Sequence, residues 1–250
     1  MTAMLGMYDM PAIQDVNDRF WSLIRTELGT GPDRLDRDRD VWEIWQDPAL
    51  VLAQTCGMPF RTRLHQTVQL VGTPDYGLPG CPPGHYCSVF VARAGDDRDL
   101  AALAEGVFAY NEALSQSGWA APVSHLLALG LHPGHPQQSG AHALSARAVV
   151  DGSADLAALD ALTWELLCEH TDLGPRLREV AHTAPTPTLP YITAPGRDAP
   201  AIARAVRAAI ANLAPADRAA LHLRGLVDIP AAAYLAVPNP PAPDAFRPQD

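Results

Sequence analysis

The chain has 250 residues, 48% hydrophobic and 18% charged, which excludes a disordered or fibrous protein and suffices for one large or two small packed domains. Its net charge is −10 and all 18 basic residues are arginines scattered singly, so nothing resembles a basic stripe and no nucleic-acid partner is expected. In so acidic a chain an anionic ligand has to be held locally, by backbone N–H groups and hydroxyls, at a neutral and preorganised site.

In chain order, MLGMYD (4–9) predicts a short apolar strand, and Asp15 to Leu28 a helix with Val16, Phe20, Leu23, Ile24 and Leu28 on one face. Gly29 to Pro32 ends that helix, because glycine fits a left-handed cap and proline cannot continue the ladder. Arg39 to Gln46 predicts a short helix, Ala49 to Ala53 a buried strand, Arg61 to His65 a helix and Val68 to Gly72 a strand. The Pro- and Gly-rich run 73–85 predicts a surface loop. A second series follows, with strands at 86–93, 107–111 and 154–160 and helices at 99–104, from Gly118 to about Leu129, at 142–150 and at 161–170. Residues 132–140 read as a loop, and the alternation of strands with helices predicts largely parallel sheets. Helices at 198–213 and 216–223 follow, and the Pro-rich residues 238–250 predict an extended or mobile tail.

No run of 18 apolar residues occurs, and the first 15 residues lack the basic and apolar regions of a signal peptide. The chain as it stands therefore reads as cytoplasmic, and as periplasmic if a leader has been trimmed. Cys56, Cys81, Cys87 and Cys168 follow no zinc-type spacing; reduced thiols are expected in the first case, and a Cys56–Cys81 or Cys81–Cys87 bridge only after export. The HPGH run with His142 is broken by proline and glycine and has no nearby carboxylates, so no metal site is expected.

Ala109 to Trp119 (AYNEALSQSGW) sets two hydroxyls and a glycine directly before a helix. The N–H groups of a first helical turn lack intrahelical acceptors and the helix dipole favours negative charge there, so Ser115, Gln116, Ser117 and Gly118 suit an anion. The plainer reading is that the serine is simply an N-cap.

The succession of MYD near the start, LAQTCG at 52–57, VGTPDY at 71–76, GC at 80–81 before a Tyr-containing strand, N-x-x-x-S-x-S-G at 111–118, G-x-H at 140–142 and LAALDALTW at 156–164 resembles the substrate-binding components of phosphate, phosphite and phosphonate ABC transporters. The resemblance runs from about Met7 to Thr193. It implies an α/β protein of the type II periplasmic-binding-protein fold, two α/β lobes joined by a two-strand hinge. Lobe one would comprise residues 1–85 plus 186–250, ending in the Pro-rich tail 238–250, and lobe two the inserted residues 86–185, with hinge strands near Tyr86–Arg93 and Val180–Ile192.

The same resemblance implies a monomeric, non-catalytic solute-binding protein that closes around a small oxyanion of phosphonate, phosphate or phosphite type, needs no cofactor and has an ABC-transporter permease as partner. Ser115, Gln116, Ser117 and Gly118 would cradle the phosphoryl oxygens, Asp160 would accept from a protonated ligand oxygen and His142 would donate to the anion. Tyr8, Thr55, Cys56 and Gly57 would form the facing wall from lobe one, with Tyr86 from the hinge. Plainer roles stand beside these: Asp160 as N-cap of the helix carrying Trp164, His142 as a cap of its own helix, the tyrosines as core. Met58 and Trp119 stand where many relatives carry tyrosine. The alternatives are a cytosolic ligand sensor, or an enzyme of small-heterocycle synthesis on the same scaffold with Cys56 as nucleophile, although no G-x-S-x-G or H-E-x-x-H supports the latter.

Overall fold

The structure, a computed structural model, describes residues 1–246. Among them the strands are β1 (Thr2–Met4), β2 (Leu50–Gln54), β3 (Gln69–Asp75), β4 (His85–Tyr86), β5 (Ser88–Arg93), β6 (Val107–Tyr110), β7 (His135–Gln138), β8 (Leu156–Asp160), β9 (Leu177–His182), β10 (Thr186–Pro187), β11 (Tyr191–Thr193) and β12 (Gly225–Val227). They belong to two compact units, Met1–His85 with Pro187–Ala236, and Tyr86–Thr186 with the segment from Val237. The chain passes between the units beside the paired β4 and β10, and again after Ala236.

In the first unit the sheet order is β1-β2-β11-β3-β12. β1 and β2 run parallel, β11 is antiparallel to both β2 and β3, and β12 is antiparallel to β3. The helix Gln14–Leu28 buries Val16, Phe20, Trp21 and Ile24, spaced to share one face, and ends at Gly29, whose φ of 67° lets its N–H bond to Arg25 O at 3.0 Å. It packs against the helix Ala199–Asn212, which Asp198 caps by accepting from Ala201 N–H. On the sheet sits a core of Met4, Trp45, Leu50, Phe60, Leu64, Ile192 and Tyr234.

The second unit has the sheet order β7-β6-β8-β5-β9. β6 runs parallel to β7 and β8, while β5 is antiparallel to β8 and β9. Its core gathers Phe90, Leu103, Phe108, Tyr110, Trp119, Val123, Leu126 and Leu156. Both sheets are therefore mixed, not largely parallel as the alternation predicts. Of the antiparallel strands, β5 and β11 are entered directly after the chain crosses between units and so lack the helical crossover that a parallel neighbour requires, whereas β12 follows two helices.

Several local expectations are corrected. The first strand ends at Met4, the first residue of MLGMYD, and Gly6–Tyr8 instead forms a tight 3₁₀ turn beyond its end. The helical segment expected over Arg61 to His65 begins at Gly57, directly after Cys56. The strand expected to end at Gly72 runs on through the predicted loop to Asp75, because Thr73, Pro74 and Asp75 pair with Val227, Leu226 and Gly225. Pro74 is tolerated since β11 pairs no further along β3 than Gly72 and needs no N–H from it. The loop expected at 132–140 contains β7, whose polar HPQQ carries no apolar alternation because it is an exposed edge strand beside β6.

The tail is the largest correction. Residues 237–246 group with the second unit, not the first: Trp119 Nε1 donates to Pro241 O at 3.0 Å, and the Phe246 ring, in the short 3₁₀ helix Pro243–Phe246, meets Trp119 edge-on at 5.9 Å. Apolar burial on Trp119 and one hydrogen bond to its indole hold a segment whose composition alone suggests extension. The remainder of the expected tail, 247–250, lies outside the described residues.

Candidate functional site

In the second unit the predicted residues lie where strands end, at the carboxyl edge of the parallel pair β6 and β8. After β6 the chain makes the wide helical turn Gln116–Ala120, closed by Ala120 N–H to Ser115 O at 2.9 Å, and continues as the helix Ala121–Ala128. Ser115 caps it, its Oγ accepting from Gly118 N–H at 2.9 Å. Ser115, Gln116, Ser117 and Gly118 are all buried. The structure brings His142 to them: its Nε2 lies 3.0 Å from Ser117 Oγ. His142 opens its own helix, His142–Asp151, yet no side-chain cap bond forms there, so the capping alternative is not realised. Burial lowers its pKa to about 4, against which a hydrogen bond to the Ala158 backbone acts, so the imidazole is neutral at pH 7.

Asp160 ends β8, is 2% exposed, and its Oδ1 accepts from Leu162 and Thr163 N–H at 2.9 and 3.2 Å, which realises the N-cap role. Across the ladder it is paired with Ser88, the first residue of β5. Ser88 Oγ is buried without a hydrogen-bond partner among the described residues, as is Asn111 Oδ1 just after β6. Gly118 faces Asn111 so closely that a Cβ would stand 1.9 Å from Asn111 Oδ1. Ser88 and Asn111 join the site although neither was a predicted ligand residue. Asn111 opens the N-x-x-x-S-x-S-G run and was readable there; Ser88 is hidden in the apolar run SVFVAR.

Tyr86, in β4, is 1% exposed. On the first unit, Thr55, Cys56 and Gly57 leave the carboxyl end of β2, and Tyr8 ends the turn after β1. Thr55 is fully buried, with Oγ1 unpartnered among the described residues. Tyr8 packs edge-on against Tyr76 with centroids 5.3 Å apart, and Tyr76 Oη accepts from Gln54 Nε2 at 2.9 Å. Burial pushes the Tyr191 hydroxyl above the ordinary phenol range, opposed by its hydrogen bond with Tyr76. Tyr76 was not among the predicted residues. Among the described residues no group of three or more His, Cys, Asp or Glu is placed to hold a metal ion, and no helix is long and apolar enough to cross a membrane.

The second unit thus presents buried hydroxyls, an amide and a neutral imidazole at the carboxyl edge of β6 and β8, and the first unit presents the buried Thr55 hydroxyl directly after β2. Solved structures share the fold. PhnD1 from Prochlorococcus marinus, in complex with methylphosphonate, superposes with a TM-score of 0.69 at 18% identity, covering 93% of both chains. A binding-protein component of an ABC phosphonate transporter from Pseudomonas aeruginosa also gives 0.69, at 14% identity over 90% of this chain and 80% of that one. XAC2383 from Xanthomonas citri, bound to ATP, gives 0.64 at 16% identity over 94% and 96%. The fold is the two-lobed type II periplasmic-binding-protein fold. Residues 63–233 match the family described as ABC transporter, phosphonate, periplasmic substrate-binding protein, and the chain belongs to that family. No curated protein matches the sequence. Members of the family bind a small-molecule solute for a membrane permease and are not enzymes, which removes the reading with Cys56 as a nucleophile.

Proposed function

We propose that the chain binds a small, protonatable oxyanion of the phosphonate, phosphate or phosphite type in a cleft between its two lobes. The observation that carries this reading is the buried turn Ser115–Ala120, with Ser117 Oγ held 3.0 Å from a neutral His142 and Gly118 packed directly against Asn111 Oδ1. First-turn amides and serine hydroxyls donate to the oxygens without bringing a counter-charge. Asp160, one strand away, disfavours a fully ionised guest and favours one with an O–H to donate, which separates monoprotonated phosphoryl groups from sulfate. Thr55, Cys56, Gly57 and Tyr8 supply the wall from the first lobe, and lobe closure brings the Thr55–Gly57 loop over the ligand.

A thermal-shift and calorimetric panel of methylphosphonate, 2-aminoethylphosphonate, phosphate, phosphite and sulfate tests it. A ligand at 100 times its dissociation constant stabilises by about 2.7 kcal/mol, so a phosphoryl oxyanion raises the melting temperature and sulfate does not. Ser117→Ala and Asp160→Asn each weaken binding roughly tenfold or more, the scale of a charge-assisted hydrogen bond. The absence of any shift across the panel overturns the ligand class; a shift that both substitutions leave within about twofold overturns the placement.

A further inference from the structure

On the second unit, three side chains that the oxyanion site does not use stand in line. Cys87 Sγ lies 3.7 Å from His182 Nδ1, and His182 Nε2 lies 2.8 Å from Glu179 Oε2. Trp164 Nε1 donates to Glu179 Oε1 at 2.6 Å. The β5–β9 ladder sets this up: Val89 pairs with His182, so the residue two before Val89 reaches the imidazole at the strand end. With Nε2–H given to the carboxylate, Nδ1 faces the sulfur as an acceptor, the tautomer that removes a thiol proton. Although desolvation acts upward on Glu179, hydrogen bonds from Trp164 and His182 outweigh it and hold the carboxyl below its ordinary range. An ionised Glu179 then stabilises the imidazolium that forms. At Cys168 the setting is opposite, since burial and the carboxylates of Glu179, Glu165 and Glu169 push its thiol up.

We propose that Cys87 is a modification site, oxidised to a sulfenic acid by a small neutral peroxide with His182 as its base. The sulfur attacks one peroxide oxygen, an S–O bond forms and the O–O bond breaks. Sulfur gives up two electrons and the departing hydroxide takes the thiol-derived proton from His182, so thiol and hydrogen peroxide become sulfenic acid and water. Selectivity follows from geometry and charge: Cys87 is only 6% exposed and stands behind a carboxylate in a chain of net charge −10, so a bulky anionic reagent is refused. None of this depends on which solute the oxyanion site takes.

The test treats the full chain with hydrogen peroxide near neutral pH, traps sulfenic acid with dimedone and follows each cysteine peptide by mass spectrometry. Cys87 is expected to label roughly tenfold faster than Cys168, the gain from raising the thiolate fraction beside a histidine. His182→Gln removes that advantage and leaves the Cys168 rate unchanged; the His182 side chain is 50% exposed, so the fold survives. In His182→Gly, added imidazole restores the rate, which a merely structural role does not explain. Labelling of Cys87 no faster than Cys168, an undiminished rate in His182→Gln, or no rescue by imidazole overturns the assignment.

Discussion

Replacing Gly118 by alanine adds one methyl group at the tightest point of the candidate site. The new Cβ would lie 1.9 Å from Asn111 Oδ1, inside any real contact distance, and 3.2 Å from Ser115 Oγ, the atom that caps the turn. Gly118 is not among the residues of positive φ, so the conflict is steric and not conformational. In an open helix the same change would stabilise by about 1 kcal/mol. Here overpacking opposes it by about 1–3 kcal/mol. Asn111 Oδ1 has no hydrogen-bond partner among the described residues to hold it, so the amide swings aside and a net loss of up to about 2 kcal/mol remains. Removing the obstacle should reverse the sign, and in an Asn111→Ala background Gly118→Ala becomes stabilising by about 1 kcal/mol. Denaturant unfolding of the four proteins closes the cycle, with a predicted coupling of about 1–3 kcal/mol. Additivity within about 0.5 kcal/mol would refute the claim that Asn111 and the turn are packed as one unit.

Other expectations follow from the same unit. His142 has a folded pKa of about 4 against an ordinary 6.5, so its depressed proton affinity contributes stability fully at pH values above about 6.5 and loses it as pH falls toward 4. Unfolding measured against His142→Gln should show the wild type losing roughly 1–2 kcal/mol more over that window, less than the full shift implies because the residue is only half-buried; a parallel pH dependence would show the ring to be solvated. Phe246→Ala removes the ring packed edge-on against Trp119 and should lower stability by about 1–2 kcal/mol, a partly buried fraction of a core Phe→Ala change, with faster proteolysis of the C-terminal segment. An unchanged unfolding midpoint would mean that the segment does not hold Trp119.

What could be read from the chain was mostly what neighbours in sequence decide. The helix Gln14–Leu28 shows itself through Val16, Phe20 and Ile24 and stops at Gly29, all within a few turns. The turn at Ser115–Gly118 is legible because its cap, its glycine and the preceding Asn111 sit within eight residues. β7 was not, since an edge strand keeps HPQQ polar, and the end of β3 was not, since Thr73–Asp75 become a strand only when β12 arrives from 225–227. The tail fails for the same reason at longer range: the acceptor for the Trp119 indole lies 122 residues away. Ser88 shows the limit within the site itself, because a hydroxyl inside SVFVAR has no meaning until β5 turns antiparallel to β8 and sets it opposite Asp160. The predicted electrostatic character follows from this placement. Around Ser115–Gly118 the chain gathers serines, an amide and an imidazole kept neutral by burial, while arginines such as Arg19, Arg37 and Arg98 are spent on aspartates at the surface. An anion that binds there is held by dipoles and hydroxyls against a repulsive overall field, so raising ionic strength should tighten binding slightly, where a site built on guanidinium groups would weaken.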